Sequence, residues 1–403
     1  MGGSGAGGDS PGGPEVARAR LARSLRDSGR TPSPAVAAAF ASVPRHLFVP
    51  ELTPAAAYAD DALVIKYDPD GLPVSSSSQP AMMAIMLEQL GVEPGHRVLE
   101  IGTGTGYNAA VLAHIVGPGG AVVTIDIDPG LIARAEASLS AAGCASVQAR
   151  CADGGFGDPG GAPFDRVIVT AGAWDIAPAW LDQLGPAGRL VLPLSVRGVQ
   201  LSVALQRQGD HWAAASAFRC GFVRMAGAFA DPEPLRPLGS ARYAQVGGGP
   251  PVDAGALSAA LAAGPAAEVG TAIGAAGLDE LSDLDLWLTL TQPQLGRLTV
   301  ISTAPGGLLP FGGLTRGGSA GDLGVAALAS AHGEIVVRGY GTGGPPLAAY
   351  LAGLAPAWTR QGRPGAASLR LTAWPAGVAP AAADGQLVLS RPHIQLAAGW
   401  PAA

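Results

Sequence analysis

Lysine is nearly absent from this chain of 403 residues, and charged residues of all kinds make up only 14% of it. Lys66 is the single lysine, so the basic side chains are almost all arginines, and they form no long cluster. With a net charge of −6, the composition argues against nucleic acid or an anionic membrane as a partner.

Cysteine is also scarce, with Cys144, Cys151 and Cys220 as the only three. Their odd number and the lack of a CxxC spacing argue against a disulfide framework and a cysteine-based zinc site. The six histidines show no HxxxH spacing, so we predict no metal site.

Long apolar runs are missing as well. None reaches the roughly 18 residues that a membrane helix needs, and the Gly-rich start lacks the apolar stretch of a secretory signal. These absences predict a cytoplasmic protein.

Glycine and proline, by contrast, are abundant, with 60 and 35 residues. Such a composition approaches that of disordered chains, but 48% of the residues are hydrophobic, which excludes global disorder. Because aromatic residues are only 5%, the core is expected to consist mostly of Ala, Leu and Val.

Strand and helix patterns alternate along the first part of the chain. This alternation predicts an α/β fold with a doubly wound parallel sheet. The predicted strands lie at 98–101, 122–125, 147–149, 167–169 and 190–192, and the predicted helices at 15–28, 36–43, 80–91, 107–115 and 129–142.

A Pro-rich break after residue 230 predicts a domain boundary. We expect a flexible tail over residues 1–14, one domain over 15–230, a linker over 231–240 and an α+β domain over 241–403 that serves substrate recognition or assembly. Within that last domain the patterns predict helices at 255–263 and 347–358, a loop at 305–318, and strands at 284–291, 298–302, 334–338, 368–372 and 386–389.

A glycine-rich loop follows the first of the alternating strands. Its sequence, Gly-Thr-Gly-Thr-Gly over residues 102–106, allows a tight turn and a close approach of the backbone to a ligand. The GxGxG spacing and Glu100 just before it favour a ligand that carries an ammonium and a sulfonium over a dinucleotide, since a carboxylate would repel pyrophosphate.

Acidic residues follow the next two strands. Asp126 ends its strand, where a carboxylate can accept hydrogen bonds from both hydroxyls of a ribose. Asp128 is better placed to cap the next helix, and Asp153 can receive an adenine amino group. Together with the loop, these acids predict an S-adenosyl-L-methionine site.

Several longer motifs resemble the protein-L-isoaspartate O-methyltransferases over roughly residues 15–230. The most specific are Ser-Gln-Pro at 78–80 and Ile-Val-Thr-Ala at 168–171, and the others are Val-Pro-Arg at 43–45, Asp-Gly at 153–154 and Gly-Arg-Leu-Val-Leu-Pro at 188–193. The chain is also similar to actinobacterial relatives in ribosomal-peptide gene clusters, which carry a C-terminal extension. The resemblance implies a Rossmann-like class I methyltransferase sheet.

The resemblance also implies which residues form the site. Ser78 is expected to be the active-site hydroxyl, with Thr170 as a second catalytic contact or as ordinary strand-end packing. Cofactor contacts are expected from Glu100, Gly102, Thr103, Gly104, Gly106, Tyr107, Asp126, Ile127, Asp153 and Gly154. Substrate contacts are expected from Ser76, Ser77, Gln79 and Pro80.

One departure from the family concerns the substrate side. Relatives usually read Thr-Ile-Ser before Gln-Pro, whereas this chain has Ser-Ser-Ser at 76–78. Because the same segment is expected to face the substrate, the change leaves ordinary substrate selectivity open.

The expected reaction is methylation of an aspartate or isoaspartate side chain, after which the methyl ester closes to a succinimide and yields isoaspartate. We favour tailoring of a peptide, such as a ribosomal precursor peptide, at a normal aspartate. The alternatives are repair of damaged proteins, a cofactor-binding scaffold without catalysis, and methylation of a small molecule.

Overall fold

The computed structural model describes residues 13–239, 242–274, 277–302, 311–317, 322–378 and 385–400. Residues 1–12 of the expected tail therefore lie outside the described residues. Pro14, which that tail included, is the first residue of a helix, because a helix tolerates proline in its first turn.

The N-terminal part consists of three helices and a hairpin that precede the large sheet. The helices are α1 (Pro14–Asp27), α2 (Pro34–Ser42) and α3 (Pro54–Ala57), and the antiparallel hairpin consists of β1 (Leu63–Tyr67) and β2 (Pro73–Ser77). The serine run, which sequence patterns do not mark as a strand, thus forms most of β2.

A ten-stranded sheet follows, and its first strands alternate with helices as predicted. In chain order these elements are α4 (Pro80–Leu90), β3 (Arg97–Ile101), α5 (Tyr107–Val116), β4 (Ala121–Asp126), α6 (Pro129–Ala141), β5 (Gln148–Cys151), β6 (Phe164–Val169), α7 (Pro178–Asp182), β7 (Leu184–Val196), β8 (Val199–Gln208) and β9 (His211–Arg219). Strands β3 to β7 pair in parallel in the order β7-β6-β3-β4-β5, which confirms the doubly wound sheet.

The core lies on both faces of this sheet, because alternate residues of each strand point to opposite faces. Val98 and Ile168 pack with α1, α2, α4 and α5 on one face, whereas Leu99 and Val167 pack with α7 on the other. Strands buried on both sides are typical of parallel sheets.

The C-terminal part forms a second, antiparallel sheet of seven strands and also extends the first sheet. In chain order its elements are β10 (Arg236–Pro237), β11 (Arg242–Gly247), α8 (Ala254–Ala262), β12 (Ala267–Gly274), α9 (Leu278–Thr291), β13 (Gly296–Ser302), β14 (Phe311–Arg316), β15 (Gly324–Ala331), β16 (Glu334–Tyr340), α10 (Gly344–Arg360), β17 (Arg370–Pro375), β18 (Leu387–Ser390) and β19 (Ile394–Gly399). Strand β17 pairs with β9, β19 pairs with β17 and β18 pairs with β19, which completes the ten-stranded sheet. The chain therefore returns to the first sheet after building the second, and the boundary at 231–240 stays a prediction.

Two predictions for the C-terminal part are wrong. Residues 284–291, predicted as a strand, lie in helix α9. Leucines alternate along this segment as they do in a half-buried strand, but both faces of the helix are covered. Leu286 packs against the ten-stranded sheet, and Trp287 packs beneath the second sheet. The predicted loop at 305–318 contains strand β14, and its residues 305–310 and 318 lie outside the described residues.

A buried ion-pair network ties α9 to both sheets. Asp285 accepts hydrogen bonds from both terminal nitrogens of Arg297, at 2.6 and 2.9 Å, and from Arg219 at 3.1 Å. Burial alone would raise the pKa of Asp285, but the two guanidinium groups hold it below the ordinary value. Because Arg219 ends β9, the network fixes the point from which the chain runs into the cleft described below.

None of the helices within the described ranges is long and apolar enough to cross a membrane.

Candidate functional site

A cleft with about 960 Å³ of open space lies at the carboxyl ends of β3, β4 and β6. This is the edge where doubly wound sheets bind their ligands. Its wall is completed by strand β2 and by the segment after β9, and its lining residues are 74–78, 83, 86, 101–105, 107, 108, 125–127, 131, 154, 168, 170, 171 and 222–226.

The glycine loop forms the floor of the cleft between β3 and α5. Gly102, Gly104 and Gly106 all have positive φ angles, of 103°, 53° and 85°, which side chains other than glycine rarely adopt. A Cβ atom on Gly102 would lie 2.5 Å from the hydroxyl oxygen of Thr170. Gly102 and Gly104 line the cleft, as does Thr103, whereas Gly106 lies behind it against α6.

Thr170, at the end of β6, holds this loop in place. Its hydroxyl lies 2.7 Å from the carbonyl oxygen of Gly102 and 3.1 Å from that of Ile101, so its proton is shared between two backbone acceptors. Thr170 lines the cleft, but its hydroxyl proton is engaged by the loop.

Asp126 lies at the tip of β4, with its carboxylate at the cleft. One oxygen accepts a hydrogen bond of 3.0 Å from the N–H of Gly104 and the other accepts one of 3.1 Å from the N–H of Asp128. Burial raises the pKa of Asp126 above its ordinary value, and these two hydrogen bonds oppose the shift. Ile127 lines the cleft beside it and is 46% exposed, so an apolar surface is available for a ligand.

Asp128 caps helix α6, as the sequence indicates, by accepting hydrogen bonds from the N–H groups of Gly130 and Leu131. It also pairs with Lys66 of β1. The single lysine therefore tethers the β1–β2 hairpin to the tip of the sheet.

Glu100 is fully buried and lies outside the lining of the cleft. Its two oxygens accept hydrogen bonds from Asn108 at 2.7 Å and from Thr124 at 2.6 Å, and Thr124 is in turn 2.8 Å from the hydroxyl of Thr103. Burial raises the pKa of Glu100 to about 7, against the effect of these hydrogen bonds. The carboxylate supports the loop from below.

Replacing Glu100 by glutamine is expected to change how stability depends on pH. The pKa of Glu100 is about 7 in the folded chain, above its ordinary value of 4.5, so the folded protein binds a proton that the unfolded chain releases between these pH values. The wild type should therefore lose on the order of 2–3 kcal/mol of unfolding free energy as pH rises through this window, and Glu100→Gln should not. Urea unfolding at pH 5 and pH 8 measures the difference.

The exposed Glu136 of α6 provides the matched control. Glu136→Gln should keep the pH dependence of the wild type. Equal pH dependence in Glu100→Gln and the wild type would contradict the burial cost.

Asp153 and Gly154 follow β5. Both oxygens of Asp153 are engaged, by the N–H of Gly155 at 2.9 Å and by the N–H of Ala228 at 2.8 Å, and the side chain lies outside the lining. Asp153 thus fixes the chain after residue 226, and the structure does not bring its carboxylate to the cleft. Gly154 does line the cleft, and a Cβ atom there would clash with the side chain of Ile101.

The wall opposite the glycine loop is the serine strand, which consists of β2 and the Ser78 that follows it. Ser76, Ser77 and Ser78 all line the cleft, and no residue in the described ranges makes a hydrogen bond to the Ser78 hydroxyl. Gln79 and Pro80 lie outside the lining, where Gln79 donates to the carbonyl oxygen of Asp60 at 3.1 Å.

The start of helix α4 does not leave all of its first N–H groups free. The N–H of Ala81 is taken by the carboxylate of Asp60, at 2.8 Å. The sequence gives no sign that residue 60 returns to residue 81, so this contact is visible only in the structure.

Two parts of the wall, segment 222–226 and the methionines of α4, are not among the site residues predicted from sequence. Segment 222–226 crosses the cleft because the β8–β9 hairpin, which sequence patterns did not predict, delivers it there. Met83 and Met86 of α4 line the cleft and give this part of the wall an apolar surface. Tyr107, a predicted cofactor contact, lines the cleft with its ring buried against Phe40 and Phe48.

The lining has the groups that S-adenosyl-L-methionine needs. Asp126 offers a carboxylate at a strand tip, Ile127 offers an apolar surface, and Gly102 and Gly104 leave space for close approach of the backbone. Within the described residues, no group of three or more His, Cys, Asp or Glu side chains could hold a metal ion.

Comparison with known proteins agrees with this arrangement. Residues 17–229 match the family model of protein-L-isoaspartate(D-aspartate) O-methyltransferase. The protein-L-isoaspartate O-methyltransferase of Methanopyrus kandleri is 43% identical over 185 residues, which cover 46% of this chain and 79% of that protein. The enzyme of the same name from Syntrophotalea carbinolica is 41% identical over 197 residues, which cover 49% and 87%.

A solved structure of a protein-L-isoaspartate O-methyltransferase has the same fold, with a TM-score of 0.51 at 23% identity. The match covers 88% of this chain and 96% of that one, so it extends well past residue 229. The chain therefore belongs to the protein-L-isoaspartate(D-aspartate) O-methyltransferase family and is a class I methyltransferase that uses S-adenosyl-L-methionine.

Proposed function

We propose that this methyltransferase modifies the side-chain carboxylate of a normal aspartate in a peptide partner, a ribosomal precursor peptide being the favoured substrate. The observation that carries the proposal is the strand of serines that faces the glycine loop and Asp126 across one cleft. The unengaged hydroxyl of Ser78 is a hydrogen-bond donor for the acceptor carboxylate in this proposal.

The cofactor is held, in this proposal, by residues at the ends of β3 and β4. Asp126 receives the ribose hydroxyls, Ile127 lies against the adenine, and the backbone of Gly102 and Gly104 follows the amino acid part. Thr170 acts by holding the loop at Gly102. Glu100 acts from below through Thr124, and Asp153 acts by fixing the segment at Ala228.

The reaction needs little from the protein beyond orientation. When bound, S-adenosyl-L-methionine supplies a methyl group on a sulfonium, which an ionised carboxylate oxygen attacks. Since a carboxylate is already ionised near pH 7, no general base is required. Ser78 orients the carboxylate, and Met83, Met86 and Ile168 provide apolar lining that excludes water.

The product determines the later chemistry of the peptide. A methyl ester is a better electrophile than a carboxylate, so the next backbone nitrogen can attack it, expel methanol and close a succinimide. Hydrolysis of this ring gives a mixture of aspartate and isoaspartate.

The choice of a normal aspartate rests on the serine strand. Ser76 and Ser77 stand where relatives usually have Thr-Ile, and both line the cleft, so the substrate side is more polar here. The C-terminal extension gives no argument for tailoring over repair. A solved protein-L-isoaspartate O-methyltransferase matches 88% of this chain, so a region of this kind also occurs in a protein of that name.

Repair of isoaspartyl residues in damaged proteins is the second candidate. It is favoured by the names of the relatives at 41–43% identity. A cofactor-binding scaffold without catalysis is the third, and the complete set of loop, Asp126 and Ser78 weighs against it.

For the C-terminal region we propose a part in substrate recognition, with the boundaries at 231–240 and 241–403. The hydroxyl of Tyr243 in β11 donates to the carbonyl oxygen of Asp70, at the turn of the β1–β2 hairpin, with a distance of 3.1 Å. The second sheet thus supports the hairpin that carries the serine strand.

Matched peptides that differ only in one residue test the substrate. A peptide with aspartate, the same peptide with isoaspartate and one with asparagine are each incubated with the enzyme and S-adenosyl-L-methionine. Mass spectrometry then follows the gain of about 14 Da that one methyl group adds to a carboxylic acid. Tailoring predicts methylation of the aspartyl peptide, and rapid methylation of the isoaspartyl peptide alone would favour repair. No methylation of either would favour the scaffold.

A further inference from the structure

Arg45 is a fully buried arginine that lies directly behind the wall of the cleft, with no exposed surface. It begins the short 3₁₀ turn between α2 and α3. A charged side chain is almost never enclosed in this way unless it is paired, so its partners indicate its role.

The partners of Arg45 are neutral. Its Nε donates to the carbonyl oxygen of Ala57 at 2.8 Å and its Nη2 donates to the carbonyl oxygen of Ser78 at 3.0 Å. Its Nη1 lies 3.7 Å from the sulfur of Met83, and the guanidinium is 4.9 Å from the ring centre of Tyr107. No carboxylate in the described ranges forms an ion pair with it.

The positive charge persists in this enclosed place. Burial lowers the pKa of Arg45, and the nearby Tyr107 and Asp60 oppose the shift. Because the guanidinium starts from so high a pKa, it remains protonated in proteins. Among the described residues, the cation therefore lies in the protein interior without a carboxylate in ion-pair contact. Such burial raises the free energy of the folded state unless another interaction compensates for it.

Three of its four partners line the cleft: Ser78, Met83 and Tyr107. The cation consequently lies one layer of side chains behind the wall that carries the Ser78 hydroxyl. Its hydrogen bond fixes the backbone at the junction of β2 and α4, where the serine strand turns into the helix.

We propose that Arg45 is a positioning residue for the acceptor carboxylate, which it serves by fixing the main chain of Ser78 and by placing a positive charge behind it. This inference rests on the proposed function, in which Ser78 contacts that carboxylate. The positive charge of Arg45 favours an anionic ligand in the cleft.

The position behind Ser78 suits this reaction. A carboxylate and a sulfonium combine to give a neutral ester and a neutral thioether, so charge disappears on the way to the transition state. A direct contact between arginine and the carboxylate would stabilise the bound substrate more than the transition state and would slow the reaction. A cation one layer back orients the anion without forming that contact.

The test compares Arg45→Lys and Ser78→Ala with the double variant. Lysine keeps the charge but cannot bond to the carbonyl oxygens of both Ala57 and Ser78. We expect Arg45→Lys to raise the KM for the peptide about tenfold, with the Kd for S-adenosyl-L-methionine within about twofold of the wild type. Because Arg45 acts through Ser78, the lysine substitution should add little in the Ser78→Ala background.

The matched control is Arg134→Lys, since Arg134 also bonds to a backbone carbonyl, that of Phe48, and pairs with Glu51 away from the cleft. It should leave both constants unchanged. Equal loss of peptide and cofactor affinity in Arg45→Lys, or additive effects in the double variant, would overturn the proposal.

A measurement on the wild type is independent of how the variants fold. With S-adenosylhomocysteine present, so that no methyl group can be transferred, the acidic peptide should bind at least about tenfold more tightly than its asparagine counterpart. Equal binding would overturn the role of the charge. If the wild type methylates no peptide, the proposed function fails, whereas methylation with an unchanged KM in Arg45→Lys contradicts this inference alone.

Discussion

An Asp126→Ala variant is expected to bind S-adenosyl-L-methionine at least about a hundredfold more weakly than the wild type, because hydrogen bonds to a charged group contribute about 1.5–3 kcal/mol each. In the proposed site, Asp126 receives two ribose hydroxyls, and its carboxylate also accepts a hydrogen bond from the N–H of Gly104 in the loop. Isothermal titration calorimetry measures the affinity directly.

The control for this variant is Asp182→Ala, because Asp182 lies exposed at the end of α7, away from the lining of the cleft. It should bind the cofactor like the wild type. If Asp126→Ala keeps the affinity of the wild type, the assignment of the ribose to this carboxylate is wrong.

Gly102→Ala is expected to weaken the binding of S-adenosyl-L-methionine so far that calorimetry detects none. The new Cβ atom would lie 2.5 Å from the hydroxyl oxygen of Thr170, and φ at this position is 103°. Thr170 cannot turn away without breaking its hydrogen bonds to the loop. Overpacking of this kind costs about 1–3 kcal/mol, and the loop must move to relieve it.

Gly143→Ala separates the clash from backbone strain. Gly143 also has a positive φ, of 73°, but nothing lies within 4 Å of the position of its Cβ atom. This variant should lose some thermal stability and keep its affinity for the cofactor. Wild-type binding by Gly102→Ala would show that the loop does not form the floor of the cofactor site.

Sequence alone predicts the part of the site that is local in the chain. The loop at 102–106 directly follows a strand and Asp126 ends the next one, and a parallel sheet brings such residues to one edge. The serine run was predicted to face the substrate from its resemblance to a family motif, and all three of Ser76, Ser77 and Ser78 line the cleft.

Sequence does not predict contacts that join distant parts of the chain. Arg45 reaches Ser78 across 33 positions and Gln89 reaches Ser202 across 113, and neither pairing leaves a periodic pattern. Glu100 was expected to face the ligand, yet Thr124 and Asn108 hold it beneath the loop, because strand alternation sets which face a side chain occupies.

Helix α9 shows a second limit. Its alternate leucines satisfy the pattern of a strand, but the structure places it between two sheets, where apolar residues are needed on both sides. Only the arrangement of the whole C-terminal part, with β17–β19 returning to the first sheet, makes this position evident.

The central claim is that the cleft transfers a methyl group from S-adenosyl-L-methionine to a carboxylate of a peptide. The most direct measurement uses cofactor with a labelled methyl group and follows the label on an aspartyl and an isoaspartyl peptide before and after mild alkali. The account predicts that the label enters a peptide and is released as methanol by alkali, since the bond is an ester. A label that resists alkali, or no transfer to either peptide, would contradict it.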